Sequence, residues 1–404
     1  MPRTSTDAAA HRGDITRRRM ITATAVAGIT LGVAVVVPDG TRASTGTSSS
    51  RLRFLRNANS GDPTASGTDR WQFQVLQGDR ERPPSSSVPE QLVYATAVRR
   101  TSDPTGVTQC LPPADVPSSW LLTDRAGRTI TRNQGDDTAI DVGNPSFQLA
   151  SADFLIAKCR AVGSGQPWTG VHHDEVNAGF GWGWAGAVPR RYPTDDAWQS
   201  TLAGYMSYLA QRLGDAGFTL VGNLGSVITA NDDDWYRSLV RNGVVPSLEY
   251  FVCGEAVPNG STANYASPDE WERQLRFVES AETNRAGSPP AVTRAGTRIV
   301  VHDRQDSEAG IRYSLCSYLL ASAGAGTSVF GADVEYHAAT TPYPTCYTDA
   351  LGLGAPTGSR TRVARDLWGR SFAHGHVLVN VGTSAVSGWG TTLGPRSATI
   401  GTTS

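Results

Sequence analysis

Between Trp71 and Phe330 the chain repeats one pattern: a short apolar or β-branched run, then in most cases a longer segment with helical spacing. No other feature limits the possible folds as much, because this alternation is the signature of a parallel α/β sheet. Strand-like runs fall at 72–76, 92–98, 139–142, 169–173, 219–222, 247–252, 298–302 and 327–330. Helical segments lie between most of them, at 147–162, 196–214, 235–242, 268–286 and 307–323. Eight strands over about 260 residues match a (β/α)8 TIM barrel, which takes ~250. A doubly wound sheet is the alternative, but no G-x-G-x-x-G phosphate turn follows the first strand. The fold expected is α/β, a (β/α)8 TIM barrel with a short β-rich C-terminal segment. Within it, "WLLTDRAGRTI" reads as a small hairpin turned at Ala126-Gly127.

The first residues follow a different grammar. Arg17-Arg18-Arg19 precede an uncharged, largely apolar run from Ile21 to Val37, then Pro38 and the small-residue site Thr41-Arg42-Ala43. This is the order of a secretion signal, and the arginine pair suggests twin-arginine export. An uncleaved anchor is the competing reading, since the run is just long enough to span a bilayer. The expected organisation is a signal peptide at 1–43, a flexible linker at 44–69, a barrel at 70–380, and a short strand and tail at 381–404. The expected location is secreted or extracellular, with no stable membrane insertion after cleavage. Five cysteines without a C-x-x-C spacing argue against a structural zinc site, and Cys316, in an apolar helical run, reads as a buried thiol. A formal net charge of -1 leaves no electrostatic footprint for nucleic acid.

In a barrel, function gathers where the C-terminal ends of the strands meet their loops. Polar residues mark six successive strand ends: Asp141, Asp174-Glu175, Asn223, Glu249, His302-Asp303 and Asp333. Some have plain explanations. Asp141 opens "DVGNP", Asn223 lies in "GNLG", and Asp303 sits where an acid caps a helix or pairs with Arg304. Asp174 and Glu249 are harder to set aside, since acids in such apolar surroundings are costly to bury unless paired or used. Two carboxylates on one pocket are what glycosidic cleavage needs: one protonates the leaving oxygen, the other attacks or activates water. Trp182 and Trp184, in "GFGWGWAG", either stack on sugar faces or pack on the barrel rim.

His172 and His173 are consecutive in a strand and point to opposite faces, so they cannot share a metal. With no H-E-x-x-H, no metal and no cofactor are expected. One of the two histidines is placed to lie beside Asp174 and tune it. A G-x-S-x-G serine, a Walker A loop and an EF-hand loop are all missing from the sequence.

The stretch from "AIDVGNPSFQ" through "GVHHDEVN" resembles the glycoside hydrolase-like family 15 proteins, whose pattern runs Asp-x-Gly-Asn/His-Pro, a helix, then Gly-x-x-x-Asp-Asn/Asp/Glu. The C-terminal part is similar to that family's closing segment, here carried by Arg370, Phe372, Gly375, Val377, Val379 and Asn380. The resemblance runs from Trp71 to Asn380. It implies a secreted or surface (β/α)8 barrel acting on polysaccharide, with catalytic acids at Asp174 and Glu249. His172-His173 depart from the apolar pair usual before that Asp. The expected function is therefore a secreted glycoside hydrolase acting on an extracellular or cell-wall polysaccharide, with Asp174 and Glu249 as the carboxylate pair in either assignment. Asp141, Glu175, Asn223, His302, Asp303 and Trp182 are expected to bind the polysaccharide or oligosaccharide substrate. The alternatives are a barrel without catalysis that binds glycan at a surface, and a lyase or transferase on the same scaffold.

Overall fold

The computed structural model describes residues 52–58, 73–77, 90–96, 98–101, 111–132, 137–161, 168–180, 184, 186–225, 230–252, 265–283, 293, 296–305, 307–324, 326–333 and 344–402. All lie in one compact unit, Ser48–Ser404. The expected signal peptide, most of the expected linker, Trp182, Cys110 and Cys253 fall outside these residues.

The strands are β1 (Leu55–Ala58), β2 (Phe73–Gln77), β3 (Glu90–Thr96), β4 (Arg99–Thr101), β5 (Thr131–Arg132) and β6 (Asp137–Ala139), then β7 (Gly170–Asp174), β8 (Thr219–Asn223), β9 (Val245–Leu248), β10 (Ile299–Arg304) and β11 (Ser328–Asp333). Eight of them form one curled parallel sheet in the order β1-β2-β3-β7-β8-β9-β10-β11. At its edges Phe54 makes a parallel bridge to Phe330, whose N–H donates to the Arg53 carbonyl at 3.0 Å. Arg53 also donates to Glu90 (2.9 Å) and Thr297 (2.7 Å), which offsets the cost of burying the Glu90 carboxylate completely.

Two sequence expectations are corrected by this sheet. Leu55–Ala58, inside the expected linker, is its first strand. Residues 139–142 are not one of its strands. Ala139 instead ends β6 in a three-stranded antiparallel sheet of order β4-β6-β5. That small sheet packs beside the "WLLTDRAGRTI" hairpin, where Thr123 bridges Thr129 and Gly127 takes a left-handed φ of 78°. Apolar alternation alone cannot tell a strand of the main sheet from one of a satellite sheet, because each buries one face.

Six α-helices occur among the described residues, fewer than the eight of a complete barrel: α1 (Pro145–Arg160), α2 (Asp195–Asp215), α3 (Ala230–Arg241), α4 (Pro268–Thr283), α5 (Glu308–Ala321) and α6 (Thr345–Gly352). Local chemistry starts them. Asn144 caps α1 by accepting from the Ser146 N–H at 3.0 Å, with Pro145 in the first turn. Thr194 caps α2, and Asp195 and Asp196 complement its N-terminal dipole. None of the described helices is long and apolar enough to cross a membrane.

The chain ends in β12 (Thr361–Ala364), β13 (Leu367–Phe372), β14 (Gly375–Asn380), β15 (Val386–Gly388), β16 (Thr391–Leu393) and β17 (Ser397–Thr402). β12-β13-β14-β17 form an antiparallel sheet and β15-β16 a hairpin, so the β-rich segment begins near 361 rather than 381. This sheet covers α5, which explains why that helix is apolar almost all round. Cys316, within α5, is a free buried thiol, and burial pushes its pKa up. Arg370 locks the two layers together by donating to the carbonyls of Leu319 (2.9 Å), Leu320 (3.2 Å), Ser322 (2.5 Å) and Gly358 (2.8 Å). Asn380 holds the following loop through the carbonyls of Ser384 and Gly394. Both closing-motif residues therefore do structural work.

Candidate functional site

Side chains alternate along each strand of the curled sheet. Its concave face carries an apolar layer of Leu92, Tyr94, Val221, Val245, Val300 and Val329, contributed by five strands. One pleat further toward the C-terminal ends the layer turns polar. Tyr94 of β3 pairs in register with His172, and His172 pairs with Val221, so Asp174 and Asn223 stand at the next inward positions. On the neighbouring strand Asn223 is level with Ser247, and Glu249 follows directly after β9.

These side chains converge on one amide. The Asn223 Nδ2 donates to Asp174 Oδ1 at 2.7 Å and to Glu249 Oε2 at 2.5 Å. The amide cannot be turned the other way, because its Oδ1 accepts from the Gly225 N–H at 3.1 Å. Gly225 takes φ 67°, which a side chain would strain, and its carbonyl accepts the Glu249 N–H at 2.9 Å. The Val176 N–H likewise donates to the Asn223 carbonyl at 3.0 Å. Lateral backbone bonds thus carry the strand register past the sheet's edge and into the three loops.

Both acids sit at sharp exits from their strands. Glu175 follows Asp174 at φ 60°, and Tyr250 follows Glu249 at φ 60°, with Val252 at 54°. Non-glycine residues in this region cost about 1–3 kcal/mol each and collect at functional sites.

The surroundings of Asp174 favour its charged form. Burial pushes the Asp174 pKa up, but donation from Tyr94, the nearby His172, the Glu175 N–H and Asn223 outweigh it and hold the carboxyl below its usual range. His172, its ring stacked 6.1 Å from that of Tyr94, faces the same side as Asp174. Burial pushes its pKa down to about 4 despite the adjacent Asp174, with His302 adding to the lowering. The ring is therefore neutral near pH 7. His173 points the opposite way, edge-on to Tyr205 of α2, and is also held at about 4 by burial. Among the described residues no group of three or more His, Cys, Asp or Glu is arranged to hold a metal ion.

The remaining expected site residues divide. Asn223 joins the acids, and His302 is buried on the same concave face, next to His172 in the field it feels. Asp303 is corrected. It is fully buried on the opposite face, where its Oδ2 accepts from Gln305 (2.6 Å) and from Ser314 of α5. One residue of strand parity removes it from the pocket. Asp141 takes its described hydrogen bonds from Arg191, Tyr192 and the Gly143 N–H and builds the turn before α1. Glu175 is paired with Arg132 and accepts from Thr96 at 3.3 Å, which makes it a brace beside the pocket. Trp184 packs against Phe180 and under Arg132, 4% exposed, and so serves the rim and not an open platform. The side chain of Asp333 lies outside the described residues.

Sequence reasoning missed Tyr94 and Ser247. Tyr94 donates to Asp174 Oδ2, and Ser247 Oγ lies 3.4 Å from His172 Nε2. The signal was present in "EQLVYAT", where period two puts Leu92, Tyr94 and Thr96 on one face. The polar Tyr94 and Thr96 at the C-terminal end of that row mark the concave wall.

The fold and site define a mixed α/β protein with a polar cluster at the C-terminal ends of a curled parallel sheet. Its sequence places it further: residues 94–376 match the family described as hypothetical glycosyl hydrolase family 15, and the chain belongs to that family, which makes it glycosidase-like. No curated protein matches the chain significantly. Three of the solved structures that match do so at low similarity. The α-galactosidase TtGalA of Thermus thermophilus is 14% identical, with 57% of this chain and 56% of that one covered and a TM-score of 0.29. The spore cortex-lytic enzyme SleL of Bacillus megaterium is 9% identical over 64% and 52%, with a TM-score of 0.33. The maltogenic α-amylase AmyB of Thermotoga neapolitana is 7% identical over 87% and 96%, with a TM-score of 0.42. The chain spans about half the length of the first two.

Proposed function

We propose that this protein is a secreted glycoside hydrolase that cleaves an extracellular or cell-wall polysaccharide, with Asp174 and Glu249 as its carboxylate pair. The observation that carries this is the shared Asn223 amide, which brings together acids from the ends of two different strands. Asp174 is the member held anionic, by Tyr94, Asn223 and the Glu175 N–H together, and takes the role of nucleophile or base. Glu249 is the general acid. A glycan-binding barrel without catalysis has no need to aim two carboxylates at one point, which is why the enzyme reading is preferred.

The remaining parts of the reading have their own support. The Phe54–Phe330 bridge favours a sheet that closes as a (β/α)8 barrel. The basic, apolar and small-residue order of residues 17–43 favours export. The test is reducing-sugar release from a panel of bacterial exopolysaccharides by the wild-type protein beside Asp174→Asn and Glu249→Gln, with folding checked by circular dichroism. Release by the wild type and at least ~10²-fold loss in both folded variants is expected. Glycan binding without release in all three proteins would replace the enzyme with a binding module.

A further inference from the structure

The stereochemical course of a glycosidase follows from the space between its carboxyl groups. An inverting pair stands ~6.5–9.5 Å apart to admit a water beside the sugar, whereas a retaining pair stands ~5–5.5 Å apart so that one carboxylate reaches the anomeric carbon. In this protein Asp174 Oδ1 and Glu249 Oε2 bond the same nitrogen, at 2.7 and 2.5 Å. Those two facing oxygens therefore stand no more than about 5 Å apart, with the Asn223 nitrogen between them. The gap an inverting enzyme gives to water is here spanned by the Asn223 amide, itself fixed by the Gly225 N–H. The carboxylate is also restrained: Asn223 holds one Asp174 oxygen and Tyr94 the other, so the group is anionic and aimed before substrate arrives.

We infer that the site works by double displacement through a glycosyl–Asp174 ester, and that it therefore retains anomeric configuration and transfers sugar to hydroxyl acceptors other than water. This rests on the carboxylate-pair reading above. In the first step an Asp174 oxygen bonds to the anomeric carbon as the bond from that carbon to the leaving oxygen breaks. The Glu249 proton goes to that oxygen. In the second step a hydroxyl oxygen, from water or from a second sugar, bonds to the same carbon and the ester bond to Asp174 breaks. Its proton returns to Glu249. Atoms and charge balance with no further reactant. Asn223 acts as a positioning residue, donating to both carboxylates throughout.

The experiment uses the full mature chain and a panel of p-nitrophenyl α- and β-glycosides, followed by proton NMR from the first minutes of turnover. The expected result is a first-formed sugar of the substrate's own anomeric configuration. Added methanol should then divert product into the methyl glycoside of that same configuration. Azide supplies an independent arm. With Glu249→Ala, which should lose roughly 10²–10⁴-fold with poor leaving groups, azide should yield a glycosyl azide of retained configuration. With Asp174→Gly it should yield the inverted azide. A first-formed sugar of opposite configuration, with no methyl glycoside, would overturn double displacement and leave the hydrolase reading standing. Turnover of no glycoside and no polysaccharide would overturn the hydrolase reading and this inference with it. The wild-type NMR arm decides the question even if a variant fails to fold.

Discussion

Replacing Tyr94 by Phe tests the electrostatic account of the site most directly. Tyr94 is 7% exposed on the concave face, and its hydroxyl donates to Asp174 Oδ2. Phe keeps the ring that stacks on His172 and deletes only that donation. A hydrogen bond to a charged group is worth about 1.5–3 kcal/mol. At 1.36 kcal/mol per unit, the Asp174 pKa should rise by about one to two units. The folded value in the wild type lies below the unfolded one, so the bond's contribution is fully present above the ordinary Asp range near 3.9. It disappears as pH falls through the folded value. Urea unfolding followed by tryptophan fluorescence should therefore show the variant about 1.5–3 kcal/mol less stable at pH 7, with an unchanged m-value. The deficit should shrink steadily on acidification below pH ~4. Carbon-detected NMR of the Asp174 carboxyl gives the same shift without unfolding. A deficit under about 0.5 kcal/mol at pH 7, within the range of a neutral surface change, would refute the claim that Tyr94 holds Asp174 anionic.

Three further outcomes follow from the structure. Asp303→Ala strips the buried Ser314 and Gln305 groups of their acceptor and should cost about 1–3 kcal/mol, with KM unchanged on any substrate found; a raised KM at unchanged stability would return Asp303 to the pocket. Arg370→Lys cannot reproduce a planar fork that reaches four carbonyls, so thermal unfolding should show a loss of at least about 2 kcal/mol, and a loss below half of that would show the fork to be dispensable. His172 and His173 are each held at about 4, below the unfolded value near 6.5, so the unfolded chain takes up protons first as pH falls. Stability should be flat above pH ~6.5 and fall toward pH 4 with a slope of at most about 2.7 kcal/mol per unit, and urea midpoints that stay level between pH 7 and 5 would show that the two rings titrate normally.

Much of the framework was legible because helix and strand periods are local. The α1, α2, α4 and α5 boundaries fall within a few residues of the spacing-based ones, since caps such as Asn144 and Thr194 act on their own first turns. The gathering of Asp174, Asn223 and Glu249 was legible too, because parallel strands that follow one another in sequence place their C-terminal ends side by side. What failed was parity and membership. Asp303 looked equivalent to Asp174, but it is an odd step from the concave face and packs on α5. The 139–142 run looked like a strand of the main sheet and belongs to a satellite sheet, while 55–58, short and set in a polar stretch, completes the main one.

By itself the sequence determined the class of fold, the helices, and the acids that chain order would bring to one end of the sheet. Its family resemblance agreed with the match over residues 94–376. Only the tertiary structure decided which acids meet on one amide and that Asp174 is held below its usual carboxylate range. Register between strands, the Gly225 turn that fixes the Asn223 amide, and a tyrosine 80 residues earlier on the adjacent strand bring this about. Each depends on contacts between residues far apart in sequence. Local periodicity carries no information about them, because a slip of one residue preserves the pattern and reverses every side chain.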